Sequence, residues 1–107
     1  MIQMQKVFRM MDNLGYAEST IGTRYFRDAV EIAATQARAM MCKDVYPEIA
    51  KRYGVRPADV ERAMRTATAK AVRGPTWEWA WREYGGVNGP TNSEVLWRLV
   101  RECTIED

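Results

Sequence analysis

The stretch EIAKRYGVRPADVERAMRTA, residues 48–67, holds two helical patterns that are separated by a very short corner. Gly54 can close the first helix because a glycine readily adopts the left-handed conformation of a C-terminal cap. Pro57 suits the first position of the second helix, and Arg56, as the residue before a proline, is driven out of helical conformation. The chain is therefore predicted to change direction within about three residues.

The spacing of small and aliphatic residues around this corner is typical of a helix-turn-helix unit. Ala50, Gly54 and Val60 follow the pattern Ala-x3-Gly-x5-Val, in which the small residue lets the helices touch and the aliphatic residue anchors the second one. The two helices are predicted over roughly 43–53 and 57–73. A purely structural helix corner is the alternative interpretation.

Positive charge is concentrated on this helix pair, although the whole chain carries only +2. Residues 43–73 contain eight basic and four acidic side chains, which gives +4 in this segment and −2 in the rest of the chain. Attraction to phosphates requires such a local concentration of positive charge. A solvated helix face clusters charge in the same way, so the charge favours DNA binding only together with the helix-turn-helix spacing.

The remaining composition is typical of one small all-α domain. Hydrophobic residues make up 47% of the 107 residues, which suits a single core over residues 1–107. Apolar residues recur at helical spacing along the chain, and about six helices around one core are predicted. No apolar run is long enough to span a membrane and no signal peptide is apparent, so we expect a cytoplasmic protein without membrane contact.

The chain lacks the residue patterns of the common catalytic and metal sites. It contains no histidine, which removes the commonest general base and the commonest metal ligand. No phosphate-binding loop, nucleophile elbow or zinc-protease motif is present. Cys42 and Cys103 are predicted to be buried or inert free thiols. No enzyme, cofactor, metal or small-molecule substrate is therefore predicted.

The second helix of the pair has two distinct faces. Its inward arc consists of small and apolar residues: Val60, Ala63, Met64, Ala67 and Ala71. Its outer face is centred on Ala58, Arg62, Arg65, Ala69 and Arg73, with Glu61 and Thr66 at the margins. The outer face is the one that a DNA groove would meet.

The outer face carries side chains that can distinguish base pairs. An arginine can donate two hydrogen bonds to guanine, and a glutamate can accept one from cytosine. Glu61, Arg62 and Arg65 are therefore the predicted base contacts. Arg65, a turn further on, could reach a phosphate instead, and Glu61 and Arg65 also fit an ordinary i, i+4 surface ion pair. Contacts with the DNA backbone are assigned to Lys51, Arg56, Thr66 and Arg73.

The first and last helices have clear boundary signals. Gly15 is predicted to end a short helix within residues 1–13. At the other end of the chain, Thr91 and Glu94 form a capping box that begins the last helix. Asn92, directly after this cap, is given no functional role.

Two further helices complete the predicted fold. A long, Ala-rich central helix is expected from residue 20 or 22 to about residue 41, and its small residues allow close approach of neighbouring helices. The stretch WEWAW has the composition of a base-stacking platform. Trp77 and Trp81, however, fit one buried stripe of a short helix begun by Pro75, and we predict that they are structural.

The segment VYPEIAKRYGVRPADVERAMRTA, followed by PTNSE, resembles the C-terminal DNA-binding effector domain of the stage-zero sporulation response regulator, the master transcription factor of endospore formation. The resemblance runs from about Met11 to Cys103. It implies a bacterial, all-α domain of six helices whose fourth helix enters the major groove of double-stranded DNA. It also implies that Glu61, Arg62 and Arg65 contact DNA. Copies of such domains lie side by side on tandem DNA elements, so a weak homodimer that DNA strengthens is expected.

Several departures from this family pattern support a second hypothesis. Asp59 stands where the family usually has a basic residue, Thr66 replaces a histidine, and the loop at residues 85–89 is shorter and lacks lysines. A receiver domain needs ~100 or more residues, so none is expected within the chain. The alternative function is a protein-interaction module that keeps the fold and dimerises with, or modulates, a related regulator.

Overall fold

The computed structural model describes residues 2–36, 38–72 and 90–104, which form an all-α fold. The helices are α1 (Met4–Leu14), α2 (Ile21–Thr35), α3 (Tyr46–Tyr53), α4 (Pro57–Ala71) and α5 (Asn92–Cys103), and a π-helical turn (Met41–Val45) leads directly into α3. The predicted all-α class is confirmed, and about six helices is close to the five that these ranges contain. The predicted helix with Trp77 and Trp81 lies outside the described residues.

Helix α2 is the central helix, as predicted. It packs against each of the other four α-helices of the described chain. Phe26 and Val30 of α2 have no exposed surface. They share one core with fully buried residues from the other helices: Val7, Met11, Ile49, Val60, Met64, Leu96 and Leu99.

Helix α2 approaches α4 very closely at Gly22, in the first turn of α2. A Cβ atom at this position would lie 2.1 Å from the carbonyl oxygen of Ala63 and 2.8 Å from the Cβ atom of Ala67, both in α4. Only a hydrogen atom fits there. Glycine is therefore required at this position because of space, since its backbone is ordinary helix.

The prediction that α2 extends to about residue 41 is wrong, because α2 ends at Thr35. Gln36 is extended (φ −134°, ψ 94°), and the Met40 N–H donates to the Asp44 carboxylate at 2.7 Å, which begins the π-helical turn. Ala39 is still buried, but in a turn.

The boundaries of the predicted helix-turn-helix also shift slightly. The segment predicted as one helix over 43–53 begins as the π-helical turn and becomes α-helical at Tyr46. Pro47 lies in the first turn of α3, where a proline is tolerated because the missing N–H would have no partner in the helix. Helix α4 is described to Ala71 rather than to residue 73, with Val72 as its C-terminal cap.

The end of α1 and the start of α5 are as the sequence predicts. Gly15, with φ 96°, closes α1 in the left-handed conformation. At the start of α5, the Glu94 N–H donates to the Thr91 hydroxyl at 3.2 Å, and the Thr91 N–H donates to the Glu94 carboxylate at 3.0 Å.

Both cysteines are free; Cys103 is buried, whereas Cys42 is exposed.

The two ends of the described chain meet. Ile2 and Thr104 form an isolated antiparallel bridge, and the Gln3 N–H donates to the Cys103 carbonyl oxygen at 2.9 Å. Within residues 2–36, 38–72 and 90–104, no helix is long and apolar enough to cross a membrane.

Candidate nucleic-acid interface

The corner between α3 and α4 has the predicted conformation. Gly54 is left-handed (φ 67°, ψ 36°), and the next N–H, from Val55, donates back to the Ala50 carbonyl oxygen at 3.0 Å. Arg56 is extended (φ −87°, ψ 152°), and Pro57 is the first residue of α4. Local backbone chemistry therefore sets the direction in which α4 leaves the corner.

Arg56 and Asp59 form a clamp at the start of α4. The Asp59 carboxylate accepts from the Arg56 backbone N–H at 3.1 Å and from its guanidinium Nε and Nη2 atoms, each at 3.2 Å. These hydrogen bonds hold the pKa of Asp59 below its usual value and raise that of Arg56. Asp59 thus caps the helix and holds the guanidinium that we assigned to the DNA backbone.

The two faces of α4 agree with the sequence analysis. Val60, Met64, Ala67 and Ala71 are buried and Ala63 is half-buried. Four residues of the outer face are exposed: Ala58, Arg62, Arg65 and Thr66. Ala69 is half-buried rather than exposed.

The three predicted base contacts occupy one exposed region of α4. Glu61 and Arg65 form the i, i+4 ion pair that the sequence left as an alternative, with 3.3 Å between Nε and Oε1. Arg62, between them in sequence, makes no ion pair within the described part of the chain. It is therefore the free guanidinium at the centre of the outer face.

The residues assigned to the DNA backbone are only partly brought together. Lys51 is exposed in the last turn of α3, and Thr66 is exposed on α4. Arg73 lies outside the described residues. Among the residues that the structure describes, no group of histidine, cysteine or acidic side chains could hold a metal ion.

Asn92 joins three helices behind this face, a role that the sequence analysis missed. Its side-chain nitrogen donates to the Tyr46 hydroxyl of α3 and to the Glu61 carbonyl oxygen of α4, each at 3.1 Å. Both Asn92 and Tyr46 are buried, and burial raises the pKa of the tyrosine. Asn92 therefore fixes the turn of α4 that carries Glu61.

The fold and the exposed face of α4 define a small all-α helix-turn-helix domain. The family model described as "Sporulation initiation factor Spo0A C terminal" matches residues 7–103. The chain therefore belongs to this family and is a C-terminal effector domain of the sporulation-regulator type. The family is one of transcription-factor DNA-binding domains and not of enzymes.

Proposed function

We propose that this chain is a transcription regulator that binds double-stranded DNA sequence-specifically in the bacterial cytoplasm, with α4 in the major groove. The observation that carries this proposal is the position of Arg62. It is exposed and without an ion pair in the described chain, on the outer face of the second helix of a helix-turn-helix unit. An arginine at such a position can donate two hydrogen bonds to one guanine.

Glu61 and Arg65 extend the base-reading surface on either side of Arg62. Their mutual ion pair lies at the surface, with 38% and 66% of the side chains exposed, so it stabilises the fold by ~1 kcal/mol or less. A bidentate base contact contributes ~1–3 kcal/mol of discrimination. Both side chains can therefore exchange their pairing for contacts with bases.

Contacts with the sugar–phosphate backbone would orient the domain on the duplex. We assign them to Lys51, Arg56, Thr66 and Arg73, which flank the base-reading residues in the chain. Two copies on adjacent DNA elements would gain affinity through effective concentration, so a weak homodimer in solution is sufficient. No cofactor is needed for this function.

The test begins with a selection of bound sites from random duplexes and continues with three alanine variants. Arg62→Ala should weaken binding to the preferred site by ~1–3 kcal/mol and relax base preference at one position. Lys51→Ala should weaken binding to all sequences alike and lower the salt slope by ~1. Arg9→Ala, an exposed arginine of α1, is the matched control and should bind as the unmodified protein does.

Unchanged affinity and unchanged base preference in a folded Arg62→Ala protein would refute the groove-reading role. Circular dichroism checks that the variant is folded. We expect that it is, because removal of an exposed side chain hardly affects the free energy of unfolding.

The ion pairs of α4 favour a second candidate function, the protein-interaction module. Asp59 binds Arg56 and Glu61 binds Arg65, so two of the arginines near the outer face are already paired with carboxylates. This pairing reduces attraction to phosphates. An interaction module would bind duplex DNA weakly and without preference for any sequence, and would form a complex with a related regulator in sedimentation experiments without DNA.

A further inference from the structure

A surface groove lies between the N-terminal end of α2 and the side of α4. One wall is formed by Ser19, Thr20 and Ile21, and the other by Arg62, Thr66 and Lys70. The groove has a volume of about 540 Å³, far more than the ~30 Å³ that one water molecule occupies. We call it the α2–α4 groove.

The α4 wall is an oblique row of donors. Arg62, Thr66 and Lys70 recur every four residues, so they lie on one ridge that is inclined to the helix axis, with ~6 Å between successive side chains. The row begins at the proposed base-reading face and continues away from it. A DNA strand that borders the major groove would meet this row.

The opposite wall is held rigidly against α4. Gly22, the residue after this wall, lies so close to α4 that even a Cβ atom would be only 2.1 Å from the Ala63 carbonyl oxygen. The distance between the two walls is therefore fixed by backbone contact. The groove exists before any ligand arrives.

The polar groups that line the groove are available for binding. Thr20 makes no capping hydrogen bond with its side chain, although it precedes the first residue of α2. Within the described residues, Arg62 and Lys70 form no ion pair. Of the lining residues that the structure describes, Asp59 alone carries a carboxylate, and the guanidinium of Arg56 engages it.

These observations identify the chemistry of the ligand. Among the described residues that line the groove, two cations without an ion pair and three hydroxyl groups face it, and the one carboxylate, from Asp59, is paired with Arg56. Lysine, arginine, serine and threonine side chains are the usual donors to phosphate and sugar oxygens of DNA. Ile21, 42% exposed, offers an apolar surface for a deoxyribose ring.

We propose that the α2–α4 groove binds the sugar–phosphate backbone of the DNA strand beside the major groove, with Lys70, Ser19 and Thr20 as additional phosphate contacts. The proposal rests on the proposed DNA-binding function. It adds a third element, the start of α2, to an interface otherwise built from α3 and α4. Its contacts give affinity and register without base preference.

The test compares Lys70→Gln with the matched control Lys6→Gln, an exposed lysine of α1. Fluorescence anisotropy measures binding to a duplex with the preferred site and to a shuffled duplex, between about 0.05 and 0.2 M salt. Lys70→Gln should lower the salt slope by ~0.9. Between these salt concentrations, the factor by which its affinity falls should therefore be about three to four times smaller than for the unmodified protein, on both duplexes alike. Lys6→Gln should leave the slope unchanged, and Lys70→Arg should restore it.

A neutral methylphosphonate linkage, placed at each flanking phosphate in turn, locates the contact. One position should weaken the unmodified protein and have no further effect on Lys70→Gln. If the unmodified protein binds its site and Lys70→Gln keeps the full salt slope, the groove is not a phosphate site, whereas the proposed function stands. If the unmodified protein binds no duplex, both proposals fall.

Discussion

Replacement of Gly22 by alanine should destabilise the protein, although alanine is the better helix former. In a helix interior, alanine is favoured over glycine by ~1 kcal/mol. In this fold the added Cβ atom would lie 2.1 Å from the Ala63 carbonyl oxygen, where ordinary contact begins near 3.4 Å. The start of α2 would therefore have to retreat from α4 by more than 1 Å.

The magnitude follows from what the retreat disrupts. The clashing atom belongs to the backbone of α4, so no change of side-chain rotamer relieves the contact. Overpacking of this kind costs ~1–3 kcal/mol and occasionally more. A rigid helix backbone places Gly22→Ala at the upper end of that range or above it. After subtraction of the helix-propensity gain, we expect a net loss of ~2–4 kcal/mol.

Urea unfolding followed by far-ultraviolet circular dichroism measures this loss directly. The companion variant Ala67→Gly removes the nearby Cβ atom but leaves the carbonyl clash, so it should not rescue Gly22→Ala. Gly54 is the contrasting glycine, since a Cβ atom there would meet nothing within 4 Å and only its φ of +67° disfavours a side chain. Gly54→Asn should therefore be tolerated because asparagine enters the left-handed region readily. Equal or greater stability of Gly22→Ala would refute the close-contact explanation.

Three further outcomes are expected. Asn92→Ala removes the donor of two hydrogen bonds between helices and should lower the free energy of unfolding by ~1–3 kcal/mol; an unchanged urea midpoint would contradict this. Asp59→Asn should release the guanidinium of Arg56, tighten duplex binding and steepen the salt slope by ~1, whereas an unchanged slope would leave Arg56 without a phosphate contact. The hydrogen bond from Tyr53 to the Asp28 carboxylate raises the pKa of Tyr53 to about 12. Because this pKa exceeds the unfolded value of about 10, the stabilisation is complete below pH 10 and is lost between about pH 10 and pH 12. The free energy of unfolding, measured against pH, should fall over this range, and Tyr53→Phe should remove this fall.

The corner of the helix-turn-helix was predictable because its causes are local. The φ angle of Pro57, the restriction that a proline imposes on Arg56 and the freedom of Gly54 all act within a few residues. The outer face of α4 was predictable for a similar reason, since periodicity alone separates Arg62 from Val60. The ion pairs that occupy its charged side chains required the structure.

The end of α2 and the role of Asn92 were not predictable, because both depend on distant contacts. The apolar residues of α2 recur at helical spacing, and that spacing does not mark Thr35 as the last helical residue. Asn92 follows a capping threonine and has the sequence of an ordinary polar first turn. Its importance comes from acceptors that lie 31 and 46 residues away in the chain. No local pattern contains that information.

The bridge between Ile2 and Thr104 brings the first and last described residues side by side. A short linker could join these two residues into a ring without stretching either helix, which is the condition for circular permutation. The ring could then be reopened at Val55, an exposed residue of the corner. Such a protein would keep the packing of α3 on α4 but lose the covalent link between them. The covalent path and the non-covalent packing of a helix-turn-helix could thus be separated in one molecule.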